Sequence, residues 1–125
     1  MTSKYDEFAA RFRALAHPVR LQILDLLRGG EACVCHLEAV LGKRQAYISQ
    51  QLIVLREAGL VEPRKDGLQV FYRLVDPELE ALLNATLGPA TEVLQEVIAR
   101  CPCPHCETSR SVQPLNEEKY EYVDR

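Results

Sequence analysis

Tryptophan is absent from the chain, histidine occurs three times, and there is no glycine-rich phosphate loop. Nor are serine, histidine and aspartate arranged for nucleophilic attack, so an enzyme is not expected. Long hydrophobic runs are missing too. No apolar stretch approaches the roughly 18 residues of a membrane span, and the start MTSKYDEFAARF carries no apolar signal core. A cytoplasmic protein with no membrane partner is expected. What is present, 47% hydrophobic and 26% charged residues in 125, matches a globular chain with apolar material for one core. A chain this small gains from burying further surface in a dimer.

The net charge of −3 hides a gradient. Residues 1–42 balance five basic against five acidic side chains, and residues 74–125 carry four basic against ten acidic. Between them, residues 43–73 hold six basic (Lys43, Arg44, Arg56, Arg64, Lys65, Arg73) against three acidic. Phosphate binding follows local basic density rather than the whole-chain sum, so the middle third is the candidate nucleic-acid surface.

Periodicity places the elements. Phe8, Phe12 and Leu15 predict an amphipathic helix over 4–15 (α1). After the His17-Pro18 break, Val19, Ile23, Leu24, Leu26 and Leu27 predict a second helix (α2) ending at Gly29-Gly30. Val34, Leu37, Val40 and Leu41 predict a short third helix over 34–41 (α3), stopped by Gly42. Ile48, Leu52 and Leu55 give the face of a fourth (α4), closed by Ala58-Gly59. Helix, tight glycine turn, helix is the skeleton of a helix-turn-helix. The period then changes: Leu60-Val61 and 68–74 are β-prone runs around Arg64-Lys65-Asp66-Gly67, whose Asp-Gly signals a hairpin. A basic hairpin directly after a helix-turn-helix reads as a wing. A fifth helix (α5) opens at Asp76-Pro77 on Leu79, Leu82, Leu83 and Leu87, is interrupted by Gly88-Pro89, and continues on Val93, Leu94, Val97 and Ile98 to about Arg100. The expected division is a DNA-binding and dimerisation domain over 1–100, then a Cys-rich segment and polar tail over 101–125, with 108–125 poorly ordered. Apolar residues on α1 and α5 exceed what so small a domain buries internally. A two-fold dimer would set two recognition helices about 34 Å apart and read an inverted-repeat operator in double-stranded DNA.

The run Arg44-Gln45-Ala46-Tyr47-Ile48-Ser49-Gln50-Gln51 is rich in hydrogen-bonding side chains. With Ile48, Leu52 and Leu55 turned to the core, Ala46 and Gln50 point outward with Ser49 beside them. Glutamine bonds adenine bidentately, and serine bonds a base edge or a phosphate. Lys43, Arg44, Arg64 and Lys65 are the expected phosphate contacts, which orient without reading sequence.

All five cysteines fall in two clusters, Cys33-Val34-Cys35 and Cys101-Pro102-Cys103-Pro104-His105-Cys106. In a cytosolic chain that spacing points to metal ligation or thiol chemistry rather than structural disulfides. Thiolates and imidazole bind soft and borderline ions: As(III), Sb(III), Cd(II), Pb(II), Zn(II), Hg(II) or Cu(I). Paired thiols can equally close a regulatory disulfide. In a regular helix, residues i and i+2 point roughly 200° apart, so Cys33 and Cys35 share one ion only where the helix start is frayed or unwound. Pro102 and Pro104 break helix, which frees the second cluster to reach an α3 in the same protomer or its partner. His36 is expected to be solvated, with ligation beside Cys35 as the alternative, and His17 to be structural; His105 is open between ligand and bystander.

Three segments carry a family resemblance: Ala16-His17-Pro18-Val19-Arg20-Leu21-Gln22-Ile23-Leu24, Cys33-Val34-Cys35-His36-Leu37, and Ile48-Ser49-Gln50-Gln51-Leu52 continuing through Leu55-Arg56 and Ala58-Gly59-Leu60-Val61. Over residues 5–100 the chain resembles the ArsR/SmtB family of dimeric bacterial winged-helix repressors that sense metals. The resemblance implies a mainly α fold with a small β-hairpin, in the order α1-α2-α3-α4-β-β-α5, with α1 and α5 forming the dimer interface. It implies an effector-free dimer that holds an operator and an effector that releases it. Gln45, Ser49 and Gln50 match positions that contact DNA in the family; Gln50 replaces a frequent histidine or arginine and Ala46 a frequent serine. A CVC at the start of α3 is similar to the site of arsenite and cadmium/lead sensors. The arsenite version has a third cysteine where this chain has Glu38, and the cadmium/lead version draws thiols from an N-terminal arm, whereas residues 1–32 hold no cysteine. A zinc site on α5 is not expected, since 76–100 hold no histidine. Cys101, Cys103 and Cys106 are the sulfurs left to complete a site with Cys33 and Cys35. As(III) or Sb(III) is the first choice of effector, Cd(II), Pb(II) or Zn(II) the alternative, and a thiol redox switch the third.

Overall fold

The computed structural model describes residues 3–89. Within them run α1 (Lys4–Leu15), α2 (Pro18–Leu27), β1 (Ala32–Cys33), α3 (Val34–Leu41), α4 (Gln45–Glu57), β2 (Val61–Asp66), β3 (Gln69–Leu74) and α5 (Pro77–Leu87). The helix starts are written locally. Ser3 Oγ accepts from the Asp6 N–H at 3.2 Å while the Asp6 carboxylate accepts from the Ser3 N–H at 3.1 Å, a reciprocal cap that satisfies two end donors. His17, expected to be structural, caps α2: its Nδ1 accepts from the Val19 N–H at 3.2 Å, and Pro18 occupies the first turn. Asp76 Oδ1 accepts from the Glu78 N–H at 2.9 Å ahead of α5.

The turn between α3 and α4 needs Gly42, whose φ of 63° is left-handed backbone that other residues adopt only at a cost. That turn lays α3 across α4. Leu37 from α3, Ile48, Leu52 and Leu55 from α4 and Ile23 and Leu24 from α2 are all fully buried and form the centre of the core. A buried side chain of this size contributes about 1.5–3 kcal/mol by leaving water.

The β region is larger than the expected hairpin. The sheet has three strands in the order β1-β3-β2, all antiparallel. The two residues of β1 are too few to show a period-2 pattern, and they become a strand only because β3 offers a free edge: Ala32 pairs with Tyr72, and Cys33 with Phe71. On the other side Arg64 pairs with the same Phe71. The chain between α2 and α3 is thereby tied to the wing.

Arg28, beyond α2, fastens α2 to α5. Its side chain is 1% exposed; Nε donates to Asp25 Oδ1 at 3.0 Å and Nη1 to Asn84 Oδ1 at 2.8 Å and to the Gly88 carbonyl. The expected continuation of α5 to Arg100, the domain boundary there and the 108–125 tail lie outside the described residues. Among the described residues, Phe8, Phe12, Leu82 and Leu87 stay exposed on α1 and α5, and Phe8, Phe12, Leu79 and Leu82 line one apolar groove.

Candidate thiol site and nucleic-acid interface

Cys33 ends β1 and is also the residue before the first turn of α3, with extended backbone at φ −84° and ψ 165°. Cys35 is the second residue of α3. The angular conflict expected of two cysteines in one helix therefore does not arise, because one of them stands outside it. Their Cα atoms are 5.4 Å apart and their sulfurs are joined in a disulfide.

His36, expected to be solvated, is 2% exposed. It sits in the first turn of α3, where its ring folds back over the helix start: Nδ1 accepts from the buried Cys33 N–H at 3.2 Å. Its ring also meets Phe71 edge-on at 6.5 Å. The bond satisfies a backbone donor that would otherwise be orphaned at the helix end. One ligand atom from each of Cys33, Cys35 and His36 lies within 4.8 Å of the others. Two sulfurs and an imidazole suit a soft or borderline ion. In this structure the same two sulfurs are joined to each other. Cys101, Cys103, Cys106 and His105 lie outside the described residues.

On α4 the structure sorts residues that the sequence runs together. Gln45, Ala46 and Gln50 are exposed and Ser49 is half-buried, whereas Gln51 turns inward and accepts from Arg20 Nη1 at 3.0 Å. Arg20 also donates to the Ala14 and Arg13 carbonyls at 2.6 and 3.3 Å, so one guanidinium joins the end of α1 to α4. Ile53, 53% exposed on the same face as Gln50, had no signal beyond the helical period. Lys43 is half-buried in the turn, Arg44 precedes α4 and is exposed, and Lys65 is exposed on the wing. Arg64 is exposed but engaged: Nε and Nη2 donate to the Glu31 carboxylate at 2.9 and 2.8 Å, and its Cζ stands 5.0 Å from the Phe71 ring centroid. Glu31 raises the guanidinium pKa above its ordinary value.

Residues 17–63 match the family described as bacterial regulatory protein, arsR family. A biofilm growth-associated repressor of Agrobacterium fabrum is 45% identical over 85 residues, 68% of this chain and 73% of that protein. The chain belongs to the ArsR family. Among solved structures, HlyU from Vibrio cholerae is 35% identical with a TM-score of 0.64, covering 68% of this chain and 92% of that one. A homodimeric winged helix-turn-helix DNA-binding domain from Mycobacterium bovis is 33% identical with a TM-score of 0.63, covering 69% and 84%. The expected mainly helical winged helix-turn-helix is thus the fold, with β1 as the added strand. No helix among the described residues is long and apolar enough to cross a membrane.

Proposed function

We propose that this ArsR-family protein is a homodimeric repressor that holds operator DNA and releases it when an effector engages Cys33 and Cys35. The observation that carries the reading is the position of the pair. Its two sulfurs meet at the start of α3, the helix that packs directly on α4. A change in backbone at Cys33 reaches the recognition helix through one layer of packing. Gln45, Ser49 and Gln50 would read base edges in the major groove, with Ile53 against a thymine methyl. Lys43, Arg44, Arg64 and Lys65 would meet phosphates. The exposed apolar side chains of α1 and α5 would be covered by a second copy, which predicts an inverted-repeat operator.

For the effector, Cys33 and Cys35 with one sulfur from Cys101, Cys103 or Cys106 would make the three-thiolate pyramid suited to As(III) or Sb(III). Four sulfurs would suit Cd(II), Pb(II) or Zn(II). His36 supports the pair by fixing the Cys33 backbone. A second reading, a thiol redox switch, is favoured by the disulfide itself. With hydrogen peroxide as oxidant, two thiols lose two protons and two electrons to form the S–S bond, and the peroxide leaves as two waters.

Electrophoretic shifts on the upstream region of the protein's own gene test both. Reduced, metal-free protein is expected to bind; arsenite releases it under the first reading and peroxide under the second. No binding at low salt in reducing, metal-free buffer overturns the repressor reading.

A further inference from the structure

Arg64 faces two ways. Its exposed place on the wing suits a DNA phosphate, yet Nε and Nη2, the paired donors that a phosphate would take, are given to Glu31. Glu31 lies two residues before Cys33. Phe71, buried under the Arg64 guanidinium, is the register partner of Arg64 in β2 and of Cys33 in β1, and its ring touches His36. His36 in turn holds the Cys33 N–H. The contacts close a ring from the thiol pair through Phe71 to Arg64 and back along the chain through Glu31.

We propose that Glu31 is a positioning residue: with Cys33 and Cys35 engaged, as in this disulfide-linked structure, it withholds Arg64 from DNA, and with the thiols free it yields Arg64 to a phosphate. The inference rests on the sensor reading above and adds the wing to it. Strand β1 is two residues long, so a displacement at Cys33 is not absorbed by a longer ladder and carries Glu31 with it. The Glu31–Arg64 pair is exposed, and exposed pairs are weak enough to be exchanged for a phosphate. Asp66 stands farther off, 3.9 Å from Nη1, so a small shift in the Glu31 carboxylate frees the paired Nε and Nη2 donors for a phosphate.

The test is operator binding by fluorescence anisotropy across a salt series, with the full chain reduced, treated with sodium arsenite, or treated with hydrogen peroxide. Wild type is compared with Glu31→Gln, Arg64→Gln and the double variant; circular dichroism confirms that each is folded. Glu31→Gln is expected to leave reduced binding nearly unchanged and to tighten binding by the engaged protein by about fivefold or more. Its salt slope in the engaged state should steepen by about 0.9, one phosphate contact. In the Arg64→Gln background, Glu31→Gln should change nothing. Wild type released while Glu31→Gln is released equally overturns the coupling alone, as does an undiminished Glu31→Gln effect without Arg64. Wild type that binds DNA and stays bound under both reagents overturns the sensor reading and the coupling with it.

Discussion

His36 Nδ1 accepts a 3.2 Å hydrogen bond from the backbone N–H of Cys33, so the imidazole fixes the residue on which the thiol pair turns. Removing that acceptor strands a buried donor. His36→Ala is expected to lower unfolding stability by about 1–3 kcal/mol, and His36→Asn, which keeps a side-chain acceptor, to cost less. Urea denaturation of the reduced protein measures both; equal losses would show that the hydrogen bond does not matter.

Cys33→Ser and Cys35→Ser are expected to keep DNA binding but lose effector-driven release. Cys33 is 1% exposed, so a hydroxyl there also costs about 1–3 kcal/mol, whereas half-buried Cys35 tolerates serine better. Sulfur-to-metal charge-transfer absorbance during arsenite titration reports ligation directly. With Cys101, Cys103 and Cys106 all changed to Ser, a signal of unchanged strength and stoichiometry would remove the C-terminal sulfurs from the site.

Arg20 makes three hydrogen bonds that bridge α1 and α4, with partners Ala14, Arg13 and Gln51. Arg20→Met is expected to cost about 2 kcal/mol in stability and to weaken DNA binding, because the end of α1 no longer steadies α4, the proposed recognition helix. Gln51→Ala should cost less, and the two together less than their sum. Strict additivity would mean that the Arg20–Gln51 bond carries no energy.

Gln50 and Lys65 should fail differently. Gln50→Ala is expected to cost about 1–3 kcal/mol on the operator and to relax preference at one base position. Lys65→Ala should weaken all sequences alike and reduce the salt slope by about 0.9. Binding to operators randomised at single positions separates the two behaviours.

The Asp6 carboxylate is held below its ordinary pKa, first by the Ser3 backbone N–H and then by the Ser3 hydroxyl. A depressed carboxylate pKa stabilises the fold above the unfolded value, and the contribution is lost as pH falls through the folded one. The start of α1 should therefore loosen in acid below the ordinary aspartate range. Asp6→Asn should remove that dependence, as read by amide exchange at α1.

The sequence by itself determined the helices, the hairpin and the order that makes a winged helix-turn-helix. Each rests on local signals: the Ile48, Leu52, Leu55 period, the Gly42 stop, the Asp66-Gly67 turn. It also singled out Cys33 and Cys35 as a candidate thiol pair, through their spacing and company. Tertiary structure alone decided what those residues meet. Strand β1 exists because β3 offers an edge, and that pairing pulls Cys33 out of the helix so that its sulfur reaches Cys35. Burial of His36 depends on the start of α3 lying under Phe71, and capture of Arg64 on Glu31, which is 33 positions away, being brought beside it. Gln50 and Gln51 are adjacent and chemically identical; only Arg20, on another helix, turns one inward and leaves the other to solvent. Periodicity encodes which face of an element is apolar, whereas the partner of a polar side chain is set by distant residues that only the folded chain brings together.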